Sequence, residues 1–326
     1  MKTLLATAGA FALLTTSMTN AADTNPAADA ISPLLAPWVG PYGGVPPFDQ
    51  VKVVDLKPGL ETGMAQQLAE IDRIANDPAA PTFENTIAAM ERAGRTLDRV
   101  GTVYGVYSST LNDEAVQAVE REMAPKLAAF SDQITQNPKL FERIARVYET
   151  RETSGLTPEQ QRLTWVYYTN FVRAGARLDA AGKKRTAEIN QELAKLFTNF
   201  GQNVLKDENE GVIYLEQESD LAGLPQGVRD GMAQGAEARG QKGKWAIANT
   251  RSSIEPFLTD SDDRALREKA WRMFVNRGDN GDATDNNATI AQILQLRAER
   301  AQLLGFPTHA HWRLENTMAK TPERAM

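Results

Sequence analysis

Residues 245–306 read WAIANTRSSIEPFLTDSDDRALREKAWRMFVNRGDNGDATDNNATIAQILQLRAERAQLLGF, and this stretch decides the fold class. The alternating, β-prone run over residues 244–250 predicts a strand, and Thr259-x-x-Asp262 offers a capping-box-like start to a helix behind it. That helix sets Leu266, Ala270, Met273 and Phe274 on one face, while Arg264, Arg267, Glu268 and Lys269 fall mostly on the other. Arg277-Gly278 ends it. A polar connector, residues 279–287, supplies Asn caps to a second helix, whose Ile290, Ile293, Leu294, Ala298, Ala301 and Leu304 make a stripe closed by Gly305.

Upstream the pattern stays helical. Residues 60–75, a helix capped by Thr82, residues 113–136, 138–153 and 158–175 carry apolar faces. Asn137-Pro138 and Thr157-Pro158 each place a cap before a proline in the first turn. The longest stripe is Ile189, Leu193, Leu196, Phe197, Phe200 and Val204, an amphipathic helix over residues 183–206. GVIYLE at 211–216 is the natural partner for KWAIANT in a two-stranded piece, with a short helix and a Gly-rich turn near residue 240 between them. Residues 22–50, rich in Pro, Gly and Ala, predict an extended surface segment with Trp38, Tyr42 and Phe48 as anchors.

The chain has 326 residues, 42% hydrophobic and 24% charged, enough for a sizeable core. Its formal charge of -6, without a basic cluster in the sequence, argues against nucleic acid and anionic membranes as partners. Lys2, the apolar run from Leu4 to Leu14 and small residues at Thr19 and Ala21 have the anatomy of a secretory signal, so residues 1–21 are expected to be removed on export to the periplasm or medium. There is no cysteine to form a disulfide or to carry a lipid.

NRGDNG and LRAERAQLLGF, with MAKTP just after, PTFENTI at 81–87, FVRAGARL at 171–178 and LFTNFGQNVL at 196–205, resemble the thimet oligopeptidase, oligopeptidase A and peptidyl-dipeptidase family of zinc metallopeptidases. The resemblance is nearest to the bacterial peptidyl-dipeptidase branch and covers roughly residues 46–326. It implies a mainly α, multi-helical wall of a channel-type zinc peptidase with a small β element, zinc in the full-length protein, short oligopeptides as substrates and release of C-terminal dipeptides. On this reading residues 51–240 form a helical N-terminal domain and residues 241–326 begin the catalytic region, stopping before its zinc motif.

No residue of this chain is assigned a catalytic, cofactor-binding or metal role. HExxH is absent, and the two histidines, His309 and His311, stand two residues apart in an expected turn, a surface or packing pair and not a metal site. DNGDATDNN (279–287) lacks the Gly and Glu of a calcium loop, and the GxxxxG at 235–240 is followed by Gln241-Lys242 where a phosphate loop needs Lys-Ser/Thr. No GxSxG elbow is present. Arg267, Arg277, Arg297 and Arg300 are expected to serve ion pairs within and between these helices, at helical spacing with Glu268 and Glu299, and not to hold substrate carboxylates. Thr321-Pro322 announces a helix with only three residues after Glu323, so the partner implied is a C-terminal catalytic half. The other reading is a non-catalytic helical peptide-binding remnant. No zinc is expected on this chain alone.

Overall fold

A computed structural model describes residues 32–326; the signal expected at 1–21 and the first part of the extended segment lie outside the described residues. The described fold is mainly helical with one small antiparallel sheet. Helix α1 (Val53–Ala75) is followed by a π turn over Phe83–Ile87, α2 (Ala88–Arg92), α3 (Arg95–Thr110), α4 (Glu114–Thr135), α5 (Pro138–Thr150), α6 (Pro158–Arg173) and α7 (Ala180–Glu210). Then come β1 (Val212–Leu215), α8 (Gln226–Glu237), β2 (Trp245–Ala248), α9 (Arg251–Asp260), α10 (Arg264–Val275), α11 (Asn287–Leu303), α12 (His309–Leu314) and α13 (Pro322–Ala325).

Local capping sets most boundaries. Asp113, Asn137, Thr157 and Asp179 each accept a hydrogen bond from the third backbone N–H of the helix they open, the orphan donor that a cap satisfies. Thr82 and Asn85 close a reciprocal box, Thr82 N–H to Asn85 Oδ1 at 2.7 Å and Asn85 N–H to Thr82 Oγ1 at 3.2 Å, so Asn serves where Glu or Gln is usual. The helix expected beyond Thr82 is not continuous. It breaks at Ala93 and Gly94, where Gly94 takes φ +83° and donates its N–H to Glu70 Oε2 at 2.7 Å.

Four apolar clusters make the interior. Leu34 and Val51 join Leu56, Leu60, Val100, Val103 and Met123 between α1, α3 and α4. Ile71, Ile87, Met90, Leu140, Ile144 and Phe171 knit α1, the π turn, α2, α5 and α6. The stripe of α7 contributes Ile189, Leu193 and Leu196, which meet Ile293 of α11. The last cluster lies around the sheet. Leu34, fully buried, is the apolar anchor of the extended segment, with Trp38 packed beside it; Tyr42 stands wholly exposed and anchors nothing.

Strands β1 and β2 pair antiparallel in the register Val212 to Ala248 and Leu215 to Trp245. The turn at Gly240 and Gly243 therefore lies inside a packed unit, since it joins α8 to a strand bonded to β1. Helix α9 occupies a stretch for which the sequence pattern predicts no helix. The Thr259 hydroxyl, expected to cap α10, donates to Glu255 O at 2.8 Å within α9, and Asp263 is the true cap, accepting from Ala265 and Leu266 N–H. Of the α11 stripe, Ile293 and Ala301 are buried but Ile290 and Leu294 face solvent, and Phe197 leaves the α7 stripe for the surface.

Ile144→Ala would empty a fully buried position between α1, α2 and α6. The expected loss is ~2–5 kcal/mol of unfolding free energy, measured by urea denaturation, against under ~0.5 kcal/mol for an exposed change such as Glu152→Gln.

Candidate functional site

The polar connector after α10 docks on the C-terminal end of α7. Asp207 accepts from Gly278 N–H (2.7 Å), Asn280 Nδ2 (2.9 Å) and the Thr284 hydroxyl (2.6 Å). Asn203 Nδ2 donates to Asn286 Oδ1 at 2.9 Å, and Asn286 Nδ2 donates to Phe200 O at 3.2 Å. Gly278, at φ +72°, has no room for a Cβ, which would sit 2.9 Å from Asn286 Nδ2. The connector's acids are occupied by its own donors. Asp279 accepts from Asn287 Nδ2, Asp282 from Thr284, and Asp285 from Gly281 and Asn287 N–H. The Thr284 bonds hold the Asp282 carboxyl below its usual range. Asn286 stands at the expected cap position of α11 but makes no side-chain capping bond, and Asp285 accepts from Asn287 N–H beside it.

The other face of α7 borders a cleft of about 500 Å³ against the end of α3 and the start of α4. Its lining includes Ser108, Asn112, Glu120, Phe197, Gln202 and Asn209. Glu120 Oε2 accepts from both Asn112 Nδ2 (3.1 Å) and Gln202 Nε2 (3.2 Å), which fixes the cleft floor across two helices. A second, shallower cleft lies over Asp132, whose side chain is 7% exposed. Asp132 Oδ1 accepts from Asn190 Nδ2 at 2.8 Å, Oδ2 has no partner, and burial raises its pKa.

The arginines depart in part from the ion pairs expected for them. Arg277 does pair, with Glu208 of α7. Arg267 donates to Ser261 O, while Glu268 takes Arg272 and Glu299 takes Arg185. Arg297 lies over the Phe197 ring at 4.9 Å, and Arg300 donates to Asn190 Oδ1 at 2.8 Å and sits 4.7 Å from the Trp312 ring centre. Arg313 also packs on Trp312, at 5.7 Å. Arg173 holds the cluster to α6, pairing with Glu315 and donating to Trp312 O, while Trp312 Nε1 donates back to Arg173 O at 3.1 Å.

His309 and His311 begin a short helix, not a turn, so they point away from each other. The His311 Nδ1 contacts the Thr308 hydroxyl at 2.8 Å. His309 Nδ1 is buried without a partner, and its pKa is pushed down to about 4, first by burial and then by Arg297, Arg300 and Arg313. Zinc does not fit here: three guanidinium groups repel a dication, and no third ligand converges on either ring. Among the described residues no group of three or more His, Asp or Glu side chains could hold a metal ion.

Residues 257–326 match the family model described as Peptidase family M3. Over 296 residues, 91% of this chain, the sequence is 35% identical to the dipeptidyl carboxypeptidase of Escherichia coli K12. It is 34% identical to the protein of the same name in Salmonella typhimurium and 28% identical to oligopeptidase A of Haemophilus influenzae. The chain is homologous to the M3-family zinc metallopeptidases. It spans 43% of the length of each of the two dipeptidyl carboxypeptidases.

Two outcomes test this geometry. Asp207→Ala removes three acceptor contacts from a partly buried carboxylate; the expected cost is ~2–3 kcal/mol by urea denaturation, with faster hydrogen exchange at Gly278 N–H. His309 has a folded pKa below its unfolded value, so the unfolded chain binds the extra proton and stability falls as pH drops from about 6.5 to about 4. His309→Gln is expected to flatten that part of the pH dependence, read as the difference between variant and wild-type denaturation midpoints.

Proposed function

We propose that this chain forms the N-terminal helical wall of an exported M3-type zinc peptidyl-dipeptidase, which releases dipeptides from the C-termini of short oligopeptides. The observation that carries the reading is similarity along 91% of the chain to a dipeptidyl carboxypeptidase, with the M3 match in its last part supporting a start of the catalytic region there. In this reading the cleft beside α7 belongs to the substrate channel, and its Ser, Asn and Gln groups suit the amides of an extended peptide. The channel would admit only unfolded chains. Residues outside this sequence would supply the zinc ligands and the acid-base group, because His309 and His311 cannot form a three-ligand site with an open position for water. Export to the periplasm or medium is part of the proposal, supported by the composition of residues 1–21.

The test is complementation. Hydrolysis of a blocked tripeptide is measured with the chain alone, with a separately expressed C-terminal catalytic region of an M3 dipeptidyl carboxypeptidase, and with both. Turnover that appears on mixing and vanishes with a chelator is expected. Chelator-sensitive turnover by the chain alone would refute the proposed division of labour, and an inert mixture that nonetheless forms a stable complex would favour a non-catalytic peptide-binding protein.

A further inference from the structure

Four arginines and a histidine from three helices gather around Trp312 and Phe197. Arg173, Arg300 and Arg313 stand 5.3, 4.7 and 5.7 Å from the Trp312 ring centre, and Arg297 stands 4.9 Å from that of Phe197. The acids nearby do not balance them. Glu315 is taken by Arg173 and Glu299 by Arg185, whose guanidinium grips both its oxygens. Asp132 bonds to Arg300 only through Asn190, although its charge offsets part of that of Arg300. Arg297 and Arg313 have no carboxylate partner among the described residues, and the Arg300 Nε and His309 Nδ1 are buried without one.

Arginine cannot relieve such crowding by losing a proton, so the charge stays. The one group able to yield is His309, and its depressed pKa reports the positive potential at that point, though burial contributes more. Exposed like charges cost little when water screens them, but these are partly covered by aromatic rings, where screening is weaker. A guanidinium over a ring face is held there by cation–π attraction while its N–H groups still need oxygen acceptors, and Arg300 gives one of its own to Asn190. A bidentate oxyanion, carboxylate or phosphate, matches that fork, and the reading of the chain as a peptide-channel wall selects the carboxylate. Phe197 gives the position meaning, since the ring under Arg297 also lines the 500 Å³ cleft. The charged cluster and the cleft therefore meet at Phe197.

We propose that Arg297, Arg300 and Arg313 form a carboxylate-binding site that takes the acidic group of a peptide lying along the α7 cleft, either its free C-terminal carboxylate or an acidic side chain. This rests on the reading of the chain as a peptide-channel wall. His309 acts as a positioning residue, its neutral ring filling the space behind the guanidinium groups.

Two histidines in the chain make the test direct. In the full-length His311→Gln variant the imidazole of His309 is the sole histidine signal, and its pKa is followed by NMR with and without peptide. The probes are N-acetyl-trialanine with a free C-terminus, the same peptide amidated, an amidated peptide carrying one Glu, sodium acetate and inorganic phosphate. A bound carboxylate offsets the arginine charge, so the His309 pKa is expected to rise by about one unit with the free-acid peptide and to stay put with the plain amide. Arg297→Gln should weaken that binding about tenfold and by itself raise the His309 pKa, which shows that the variant is folded. A shift with the Glu-bearing amide alone assigns the site to side-chain carboxylates; a shift with the free acid alone assigns it to the peptide terminus. Equal binding of free acid and amide overturns the carboxylate site while leaving a peptide cleft in place. A response to acetate or phosphate as strong as that to peptide overturns the peptide part, and no response to any probe overturns the site altogether.

Discussion

Helix α7 has to serve several neighbours with one 31-residue rod, and the rest of the structure follows from how it divides its surface. Ile189, Leu193 and Leu196 are buried toward α11, where Ile293 meets them. Asn190 and Gln202 reach α4, the first through Asp132 and the second through Gln117 and Glu120. Asp207 then fixes the connector before α11, so that the apolar contact and the polar anchor together set the angle at which α11 returns. Burial of the apolar stripe supplies the energy and sets which face of α7 turns inward, and the hydrogen bonds refine the register against each neighbour.

What could be read directly from the sequence was what is decided within one turn of chain. Asp113, Asn137-Pro138, Thr157-Pro158 and Thr321-Pro322 open helices where their side chains say they should, because a cap and its N–H partner are three residues apart. The pairing of 212–215 with 245–248 was legible from alternation alone. Helix α9 was hidden by its Ser, Thr and Pro content, which signals a turn in isolation and is overridden here by Ile254 and Phe257 packing under the sheet. The arginine partners were also out of reach. Arg185 and Glu299 are 114 residues apart, and Arg277 pairs with Glu208 across 69, so sequence spacing pointed to the wrong acids.

The candidate surface illustrates the same limit. Phe197 belongs to the apolar period of α7, and only the fold shows that it turns outward under Arg297 beside the cleft. Periodicity marks which residues are greasy; it does not say which of two helical edges a neighbour leaves uncovered. The absence of a basic run in the sequence was likewise compatible with a local excess of positive charge, because Arg173, Arg297, Arg300 and Arg313 come from three different helices.

The connector held by Asp207 has a thermodynamic consequence. Its backbone and its Asp and Asn side chains already bond to one another and to α7, so the entropy of ordering it is spent when this chain folds. A body that docks against it meets a preformed wall. Such an association is of the rigid-body kind, with a heat-capacity change set by the apolar area covered at the joint, and without the larger signature of a segment that folds as it binds.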